Sequence, residues 1–532
     1  MSEKLTKEQL KAMNPDTVIT LFLSLQDQIE TLTQSVNKLT EQLAAQNNYR
    51  FGRRSEKFII PDNQMNIFDF LNEAEAVHQD CPNPEEPAAE EVITYRRKKR
   101  KGKREQDFKD LPVKTIDHEL TNEELQETFG SKWKSLPDQV YRRLHFEPAQ
   151  FYIEEHHVKV YASCDDSSIV KAKHPALLLK NSMISPSLAA GIMAEKYVKA
   201  VPLYRYEQEL KRNGIPLSRE VMANWMIQMA DRYLGVLYDW LHQKLYSYHI
   251  LQADETPVLV TRDGRHAGSK SYMWVYRTGA MYTDQSIVLY EYQKTRKADH
   301  PRKFLKEFKG VLVTDGYQVY HKLANERQDL KISGCWSHAR RRFSEAYKAA
   351  GEKTTSVAAL ALAKIQQMYK LEQGLADLTP EDRLKQRQEK LKPLVEAFFA
   401  WLKDFNSTGA ISPKTKTGIG FAYCLHQEPY LRYFLEDGSV PMDNNAAERT
   451  IRPFCIGKKN WVMIDTVNGA NASAIIYSIA ETAKANHLNP FRYFEYLLTE
   501  IPEHMEDKNL NFLEDLAPWS ENLPDICRQQ IK

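Results

Sequence analysis

The chain of 532 residues carries a formal net charge of +2, and apolar residues make up 42% of it. Its length exceeds what one hydrophobic core normally supports, so three or more domains are expected. No apolar run approaches the roughly 20 residues of a membrane-spanning helix, and no apolar segment of a secretory signal follows the N-terminal lysines. These features exclude a membrane protein and predict a soluble protein of the cytoplasm.

The six cysteines are scattered without any C-x-x-C pair, at Cys81, Cys164, Cys335, Cys424, Cys455 and Cys527. This spacing argues against a disulfide framework and against a four-cysteine zinc site. The small net charge does not exclude nucleic acid as a partner, because a sum conceals how charges are distributed along the chain.

Residues 1–58 are predicted to form a coiled-coil helix. Apolar residues recur there at alternating spacings of four and three, at Val18, Phe22, Leu25, Ile29, Leu32, Val36, Leu39 and Leu43. A seam this narrow and regular favours self-association over packing of one amphipathic helix against its own protein. We therefore expect a homo-oligomer formed through this helix.

Residues 59–117 have the composition of a flexible charged linker, with prolines and glutamates followed by the basic run TYRRKKRKGKR. The stretch Arg96 to Arg104 is either an arm that contacts the DNA backbone or a solvated charge run. Residues 118–180 are predicted to form a small strand-rich module. His156, His157 and Cys164 do not predict a metal site there, because successive strand residues point to opposite faces and no second cysteine is near.

Residues 181–247 show helical periodicity and the layout of a helix-turn-helix. Asn213 and Gly214 mark a turn, and Ser218 is placed to cap the following helix. On that helix Arg219, Asn224 and Trp225 would face DNA, with Arg219 and Asn224 as the predicted contacts. The alternative is an ordinary pair of packed helices, since such turns are common in α-helical domains.

The rest of the chain predicts an α/β core interrupted by helices. Short runs of β-branched and aromatic residues in 248–342 predict a mixed sheet flanked by helices, the first part of the core. Residues 343–440 have helical periodicity and no strand signal, so they are predicted to be an all-helical insertion. The final core helices follow in 441–505, with a break marked by Asn486 and Pro490, and 506–532 is an acidic, peripheral tail.

Three acidic residues occupy positions that suit a metal site. Asp254 and Asp315 each close a short apolar strand-like run, and Glu448 lies among helix formers close to several cations. Phosphodiester cleavage is promoted by two divalent ions about 3.5 to 4 Å apart that carboxylates hold, and such oxygen ligands suit Mg²⁺ or Mn²⁺. Taken alone, each acid has an ordinary explanation as a turn cap or a solvent-facing helix residue.

Several neighbours of these acids have predicted roles. The predicted DNA contacts are Arg340, Arg341, Arg342, Arg449, Arg452, Lys458, Lys459 and Trp461, the indole offering a stacking surface for an unpaired base. Arg452, one turn after Glu448, either pairs with that acid or holds a phosphate. Asp443 is predicted to cap the helix that carries Glu448 rather than to bind metal. Cys335 is expected to be buried, and His338 to be structural or to contact phosphate.

Distinctive motifs in this chain resemble, in the expected order, those of the DDE transposases of the insertion sequence 66 family. They are FGRRSEK, AEKYVKAVPLYRYEQELKRNGIPLSREVMANW, QADETPV, TDGYQVY, GCWSHARRRF, DNNAAERTIRPFCIGKKNW and ETAKANHLNPFRYFEYLL. The resemblance implies a ribonuclease H-like catalytic core in which Asp254, Asp315 and Glu448 bind the metal ions. It also implies a helical insertion between the fifth strand and the Glu448 helix. The family commonly carries paired cysteines before the helical region, but this chain has only Cys164 there, so no zinc ion is expected.

The activity implied is metal-dependent cleavage of double-stranded DNA at the ends of a mobile element, followed by strand transfer to target DNA. The expected cofactor is Mg²⁺ or Mn²⁺, with two ions, and accessory proteins of the same element are possible partners. The alternatives are a DNA-binding regulatory or architectural protein that retains the fold without cutting, and a carboxylate-pair glycan hydrolase. The arginine-rich surroundings of the acids disfavour the hydrolase.

Overall fold

The computed structural model describes residues 151–529, apart from 158, 163–168, 172–176, 181, 267 and 508. The predicted coiled coil, the linker with its basic arm, most of the module at 118–180 and Cys164 lie outside the described residues. The described part of that module holds an antiparallel hairpin of β1 (Val160–Ala162) and β2 (Ile169–Lys171). His156 and His157 are exposed and lie near Glu154 and Glu155, respectively.

The helical region contains four helices: α1 (Pro186–Met193), α2 (Leu203–Arg212), α3 (Arg219–Met229) and α4 (Gly235–Leu245). The hydroxyl of Ser218 accepts the backbone N–H of Val221, so it caps α3 as its position predicts. Gly214, with φ of +78°, makes the turn between α2 and α3, a conformation that glycine adopts without strain. Helices α2 and α3 therefore have the connection of a helix-turn-helix.

A mixed sheet forms the centre of the core, as the sequence predicts. Its strands are β3 (Ile250–Arg262), β4 (Lys270–Thr278), β5 (Val288–Gln293), β6 (Gly310–Thr314) and β7 (Leu330–Gly334), in the order β5-β4-β3-β6-β7. The first three strands form an antiparallel meander, and β6 and β7 run parallel to β3. Helices α5 (Asp299–Phe304) and α6 (Gln318–Glu326) make the crossovers, and β8 (Ile464–Thr466) pairs with the far end of β3.

The segment 343–440, all of which the structure describes, contains no strand, in agreement with the prediction. Its helices follow α7 (Trp336–Ala349) and are α8 (Val357–Gln373), α9 (Pro380–Gln386), α10 (Lys392–Ser407) and α11 (Lys416–Arg432). They enclose an aromatic core around Trp336, Phe343 and Phe398, which also takes in Val311 and Val313 of β6. The insertion is thereby packed against the strand that ends at Asp315.

The C-terminal part contains α12 (Asn445–Trp461), α13 (Val467–Ala485), α14 (Pro490–Glu503) and α15 (Phe512–Leu516). Asn486 and Pro490 mark the break between α13 and α14, as predicted. The segment after 506 is not peripheral, however, because Leu513 and Leu516 are buried and the Tyr493 hydroxyl donates to the carbonyl of Leu516. Its few apolar residues have no regular spacing, so the sequence did not reveal the packing.

Both outer strands of the sheet are covered by helices. On β5, the hydroxyls of Thr482 and Ser478 accept the backbone N–H groups of Val288 and Tyr290 at 3.0 and 2.7 Å. On β7, a Cβ added to Gly334 would lie 3.2 Å from the backbone of α11, so that helix lies directly against the strand. The backbone N–H groups of Val288 and Tyr290, which a neighbouring strand could otherwise bond, are thus bonded to side chains of α13. No described helix is long and apolar enough to cross a bilayer.

Candidate catalytic site

Strand register brings Asp254 and Asp315 to the same level of neighbouring strands. Strands β3 and β6 are parallel with Gln252 opposite Val313, and each aspartate lies two residues further on. Adjacent strands lie about 4.8 Å apart, and residues two apart share a face. One carboxylate oxygen of each acid is held locally, since Asp254 accepts the N–H of Glu255 at 2.8 Å and Asp315 that of Tyr317 at 2.9 Å.

Glu448 approaches this pair from the first turn of α12. Burial raises the pKa of Asp254 well above its ordinary value, and the neighbouring carboxylates raise it further. Asp315 and Glu448 are among those neighbours, so the three predicted acids share one electrostatic environment. The oxygen Oε1 of Glu448 is buried and has no hydrogen-bond partner. A buried acceptor without a donor indicates room for a cation at this position.

A fourth acid, Glu255, belongs to the same cluster but is already fully engaged. Its carboxylate accepts hydrogen bonds from the Arg296 guanidinium at 2.8 Å and from the Tyr320 hydroxyl at 2.8 Å. Because successive strand residues point to opposite faces, Glu255 lies on the other side of β3 from Asp254. The sequence reasoning did not single it out, and its role here is to hold the loop and helix around Arg296 and Tyr320.

Asn444 links the helix of Glu448 to the strand of Asp254, a role that sequence reasoning missed. Its buried side chain donates to the carbonyl of Ala253 at 2.8 Å and accepts from the Gln252 amide at 3.2 Å. Its backbone N–H donates to the sulfur of Cys335 at 3.2 Å. Three segments are therefore joined at one residue beside the acids. A polar residue just before a helix is a visible signal, but its distant partners are not.

Asn444→Ala is expected to weaken both stability and the alignment of Glu448. The substitution leaves the Ala253 carbonyl and the Gln252 amide without partners, which we expect to lower the free energy of unfolding by about 1–3 kcal/mol. Urea titration would measure this loss. Asn325→Ala, at an exposed position of α6, is the control. An unchanged midpoint in the Asn444 variant would contradict the linking role.

The capping role predicted for Asp443 is correct in kind but displaced by one position. Asn444 occupies the N-cap position of α12, yet its side chain makes no cap hydrogen bond because it is turned into the sheet. Asp443 instead accepts the N–H of Asn445, the first helical residue, at 3.0 Å. Burial raises the pKa of Asp443. It is therefore a backbone acceptor at the start of the helix.

Cys335 and His338 lie beside Glu448. Their ligand atoms lie within 4.8 Å of one another, and no other trio of His, Cys, Asp or Glu in the described residues is this close. The Cys335 thiol is buried, its pKa is raised by that burial, and its sulfur already accepts from Asn444. Because metals bind the thiolate form, the site does not favour zinc. The carboxylates of Asp254, Asp315 and Glu448 do not form such a close trio.

His338 faces the unpaired oxygen of Glu448. Its Nδ1 lies 3.5 Å from Oε1, longer than a good hydrogen bond. Burial lowers the pKa of His338, so the imidazole is neutral near pH 7. In a neutral ring, the unpaired Nδ1 of His338 either donates or accepts a hydrogen bond, depending on the tautomer. The histidine thus lies beside Glu448, and its role stays a prediction.

The three consecutive arginines of α7 reach the same region. Arg341 donates to Oε2 of Glu448 at 3.0 Å, and the guanidinium of Arg342 lies over the ring of Tyr423 at 5.8 Å. Arg340 lies on the same helix. Arg341 offsets the charge of Glu448 in this structure, and its partly exposed guanidinium remains accessible to a phosphate.

The cations of α12 divide into two groups. Arg449 and Lys459 are exposed and Arg452 is partly exposed, so they are available to DNA. Lys458 instead donates to the Thr256 hydroxyl at 3.0 Å and to the Pro257 carbonyl at 2.7 Å, which ties α12 to β3. This contact gives no support to the DNA contact predicted for Lys458.

The indole of Trp461 also faces the protein. It packs edge-on against Phe454 with ring centroids 5.6 Å apart, and its nitrogen is buried. The stacking surface predicted for an unpaired base is therefore not supported. The aromatic character of Trp461 was visible in the sequence, but the direction in which its ring points was not. That direction depends on Phe454, whose ring in turn packs against the distant Tyr477.

Arg219 and Asn224 are exposed on α3, whereas Trp225 is partly buried against the core. The guanidinium of Arg219 lies over the ring of Tyr204 at 5.6 Å and bonds to Glu220 at 3.0 Å. Of the three residues, Arg219 and Asn224 keep their side chains in reach of a partner.

The residues present fit oxygen-ligated divalent cations. Asp254, Asp315 and Glu448 offer carboxylate oxygens, of which Oε1 of Glu448 is buried without a donor. Hard oxygen donors without a thiolate favour Mg²⁺ or Mn²⁺ over softer metals.

Comparisons with known proteins show which families this chain is similar to. The family described as Transposase IS66 family matches residues 181–472, and the IS66 C-terminal element matches 478–519. A family described as Transposase C of IS166 homeodomain matches 38–116, which lie outside the described residues. Among curated proteins, uncharacterized protein y4qI of Sinorhizobium fredii is 29% identical over 71% of this chain and 70% of its own length.

Two further proteins of the same organism are similar. Uncharacterized protein y4hP is 25% identical over 73% of this chain and 72% of its own length. Uncharacterized protein y4jD is 28% identical over 67% of this chain and 70% of its own length. The family matches cover the helical region, the sheet with its acids, the insertion and the C-terminal helices. The chain belongs to the IS66 family of transposases.

Proposed function

We propose that this chain is a DDE transposase that cuts the DNA at the ends of a mobile element and joins them to target DNA. The observation that supports the proposal is that Asp254 lies level with Asp315 on parallel strands and that the carboxylates of both Asp315 and Glu448 raise its pKa. The core would then be ribonuclease H-like, with the helices at 343–440 as its insertion. The family membership shown above makes DNA the expected substrate.

The chemistry assigns distinct tasks to the residues of the site. The three acids would hold two Mg²⁺ or Mn²⁺ ions, which supply an activated nucleophile and stabilise charge on the leaving oxygen. Water attacks the scissile phosphorus, the bond to the 3′ oxygen breaks, and that oxygen takes a proton to become a free hydroxyl. The hydroxyl then attacks a phosphate of target DNA, so no covalent protein–DNA intermediate is needed.

The remaining residues position DNA around these acids. Arg341 contacts Glu448 while a phosphate is absent and would turn to the scissile phosphate when DNA binds. Arg340, Arg342, Arg449, Arg452 and Lys459 supply further positive charge around the acids, which attracts the DNA backbone. Arg219 and Asn224 on α3 would read the element ends in the major groove.

Parts outside the described residues complete the proposal. The predicted coiled coil would join protomers so that two ends are handled together. The region similar to a homeodomain would add a second DNA contact. Accessory proteins of the same element remain candidates as partners.

A cleavage assay tests the proposed function. The full chain is incubated with a labelled duplex that carries the junction between the DNA around its gene and the flanking chromosome. We expect a nick with a free 3′-hydroxyl when Mg²⁺ or Mn²⁺ is present, and joined products when target DNA is added. Binding without nicking in either metal would instead support a silent DNA-binding protein.

A further inference from the structure

One face of α12 forms a continuous stripe that begins beside the acids. Its members recur at spacings of three and four, so they lie on one side of the helix: Arg449, Arg452, Ile456, Lys459 and Met463 just beyond its end. All are exposed or partly exposed, and the stripe combines three cations with two apolar side chains. Such a stripe suits a long polyanion with an apolar interior, because its cations can bind the negative charges and its apolar side chains can contact the interior.

The stripe ends in a strained turn. Val462 has φ of 65° and ψ of −51°, and the N–H of Met463 donates to the carbonyl of Trp461 at 2.8 Å. This is the rare and strained form of the γ-turn, and a β-branched residue with positive φ is a genuine outlier. Strain of this kind persists where the surrounding structure fixes it, and it clusters at functional sites.

The strain is not compensated by burial of the side chains. Val462 is 60% exposed and Met463 is 49% exposed, so both apolar groups project into solvent. A turn that existed only to connect two elements would be satisfied by glycine or asparagine at this position. The sequence instead keeps two large apolar side chains at the tip.

The tip is held rigidly on both sides. Before it, Lys458 is bonded to Thr256 and Pro257, and a Cβ added to Gly457 would come 2.4 Å from the Tyr477 hydroxyl. After it, β8 pairs with β3, and the Thr261 hydroxyl donates to the carbonyl of Asp465 at 3.0 Å. Because these contacts hold the backbone on both sides, the side chains at the tip can push apart groups that attract one another.

We propose that Val462 and Met463 form a wedge that enters the base stack of the DNA bound along α12. The inference rests on the proposed function, because it takes the occupant of the stripe to be the duplex that the acids cut. Apolar side chains inserted between base steps unstack them and bend the duplex. Arg449, Arg452 and Lys459 on the same face would bind the phosphates of that duplex.

The position of the wedge defines where the duplex opens. Val462 lies 14 residues after Glu448 in the chain. At a rise of 1.5 Å per residue this is about 21 Å along the helix, or about six base-pair steps of 3.4 Å. The wedge would thus hold the DNA open at a fixed distance from the phosphate being cut. The chemistry itself stays with the acids.

The test measures binding without cleavage. The full chain in EDTA is titrated against a labelled 30-base-pair duplex that carries the junction between the element and the chromosome. A second duplex has two mismatched pairs about six steps from the junction. Because a mismatch lowers the cost of unstacking, we expect the wild type to bind the mismatched duplex about tenfold more tightly. Val462→Gly and Met463→Gln should reduce this preference to about twofold or less.

Met505→Gln is the matched control, since Met505 is 47% exposed and lies just after α14, away from the stripe. It should keep the full preference. Val462→Gly should also raise the midpoint of thermal unfolding, because glycine adopts positive φ without strain. A packing role for Val462 would lower that midpoint and overturn the wedge.

The outcomes separate the wedge from the function on which it rests. Equal binding of both duplexes by the wild type, or an unchanged preference in both variants, overturns the wedge and leaves the transposase proposal standing. A wild type that binds neither duplex overturns both.

Discussion

Asp254→Asn should abolish DNA cleavage while leaving DNA binding within about twofold of the wild type. The amide cannot replace the carboxylate as a charged ligand for divalent cations, so we expect the cleavage rate to fall by roughly 10³-fold or more. The cations of α7 and α12 that would bind the phosphates are untouched. Single-turnover cleavage and gel-shift titration of the same duplex would measure the two properties separately. Asp404→Asn, at an exposed position of α10, is the control.

The same substitution should stabilise the metal-free protein at neutral pH. The pKa of Asp254 is raised in the folded state by burial and by the neighbouring carboxylates, so the unfolded state releases this proton more readily. The negative charge of the Asp254 carboxylate therefore destabilises the folded state as the pH rises above 3.8, the ordinary pKa of an aspartate. We expect the variant to unfold at a higher temperature than the wild type at pH 7, with a difference that closes as the pH falls toward that value.

Divalent cations give the complementary result. Mn²⁺ binds the folded wild type and should raise its unfolding midpoint, whereas the Asp254→Asn variant should respond weakly. A variant that cleaves at the wild-type rate, or that Mn²⁺ stabilises as much as the wild type, would show that Asp254 is not a metal ligand.

Arg387→Met should cause the largest loss of stability. Arg387 is fully buried in the insertion, where its guanidinium bonds to the carboxylate of Glu372 and donates to the carbonyls of Phe434 and Asp437 at 2.7 and 2.8 Å. Methionine fills much of the volume but leaves a carboxylate and two carbonyls without donors. Removing one member of a buried ion pair typically lowers the free energy of unfolding by about 3–5 kcal/mol.

Chemical denaturation monitored by tryptophan fluorescence would detect this loss, because Trp336 and Trp401 lie in the core of the insertion. Lys390→Met is the matched control, since Lys390 is exposed one helical turn away. Loss in one cooperative step would show that the insertion and the sheet unfold together, and a separate early transition would show that they do not. Equal stability of the Arg387 and Lys390 variants would contradict a stabilising role for the hydrogen bonds of Arg387.

Local signals in the sequence were sufficient for the mixed sheet flanked by helices, whereas the choice of the three acids depended also on the resemblance of the motifs to a known family. Asp254 and Asp315 each follow an apolar run, and the parallel pairing of those runs sets them side by side. The cap at Ser218 and the break at Asn486 were visible for the same reason, since each depends on a few consecutive residues.

Features that depend on distant partners were not visible. Asn444 is turned into the sheet by the carbonyl of Ala253, which displaced the predicted cap at Asp443 by one residue. The inward direction of Trp461 was not visible, because the sequence near it does not reveal Tyr477 of α13, whose hydroxyl lies beside Gly457 together with the Trp461 nitrogen. The strain at Val462 arises from helix and strand anchors on either side, which no propensity encodes.

The covering of the two outer strands restricts how copies of this protein can join. A strand with open polar groups accepts a strand from another chain, and this route leads to continuous sheets and fibrils. Here Ser478 and Thr482 occupy those groups on β5, and α11 lies against β7. Within the part of the chain that the structure describes, these contacts oppose continuation of the sheet into a second copy at β5 and at β7. Copies with outer strands covered in this way are less prone to join as continuous sheets.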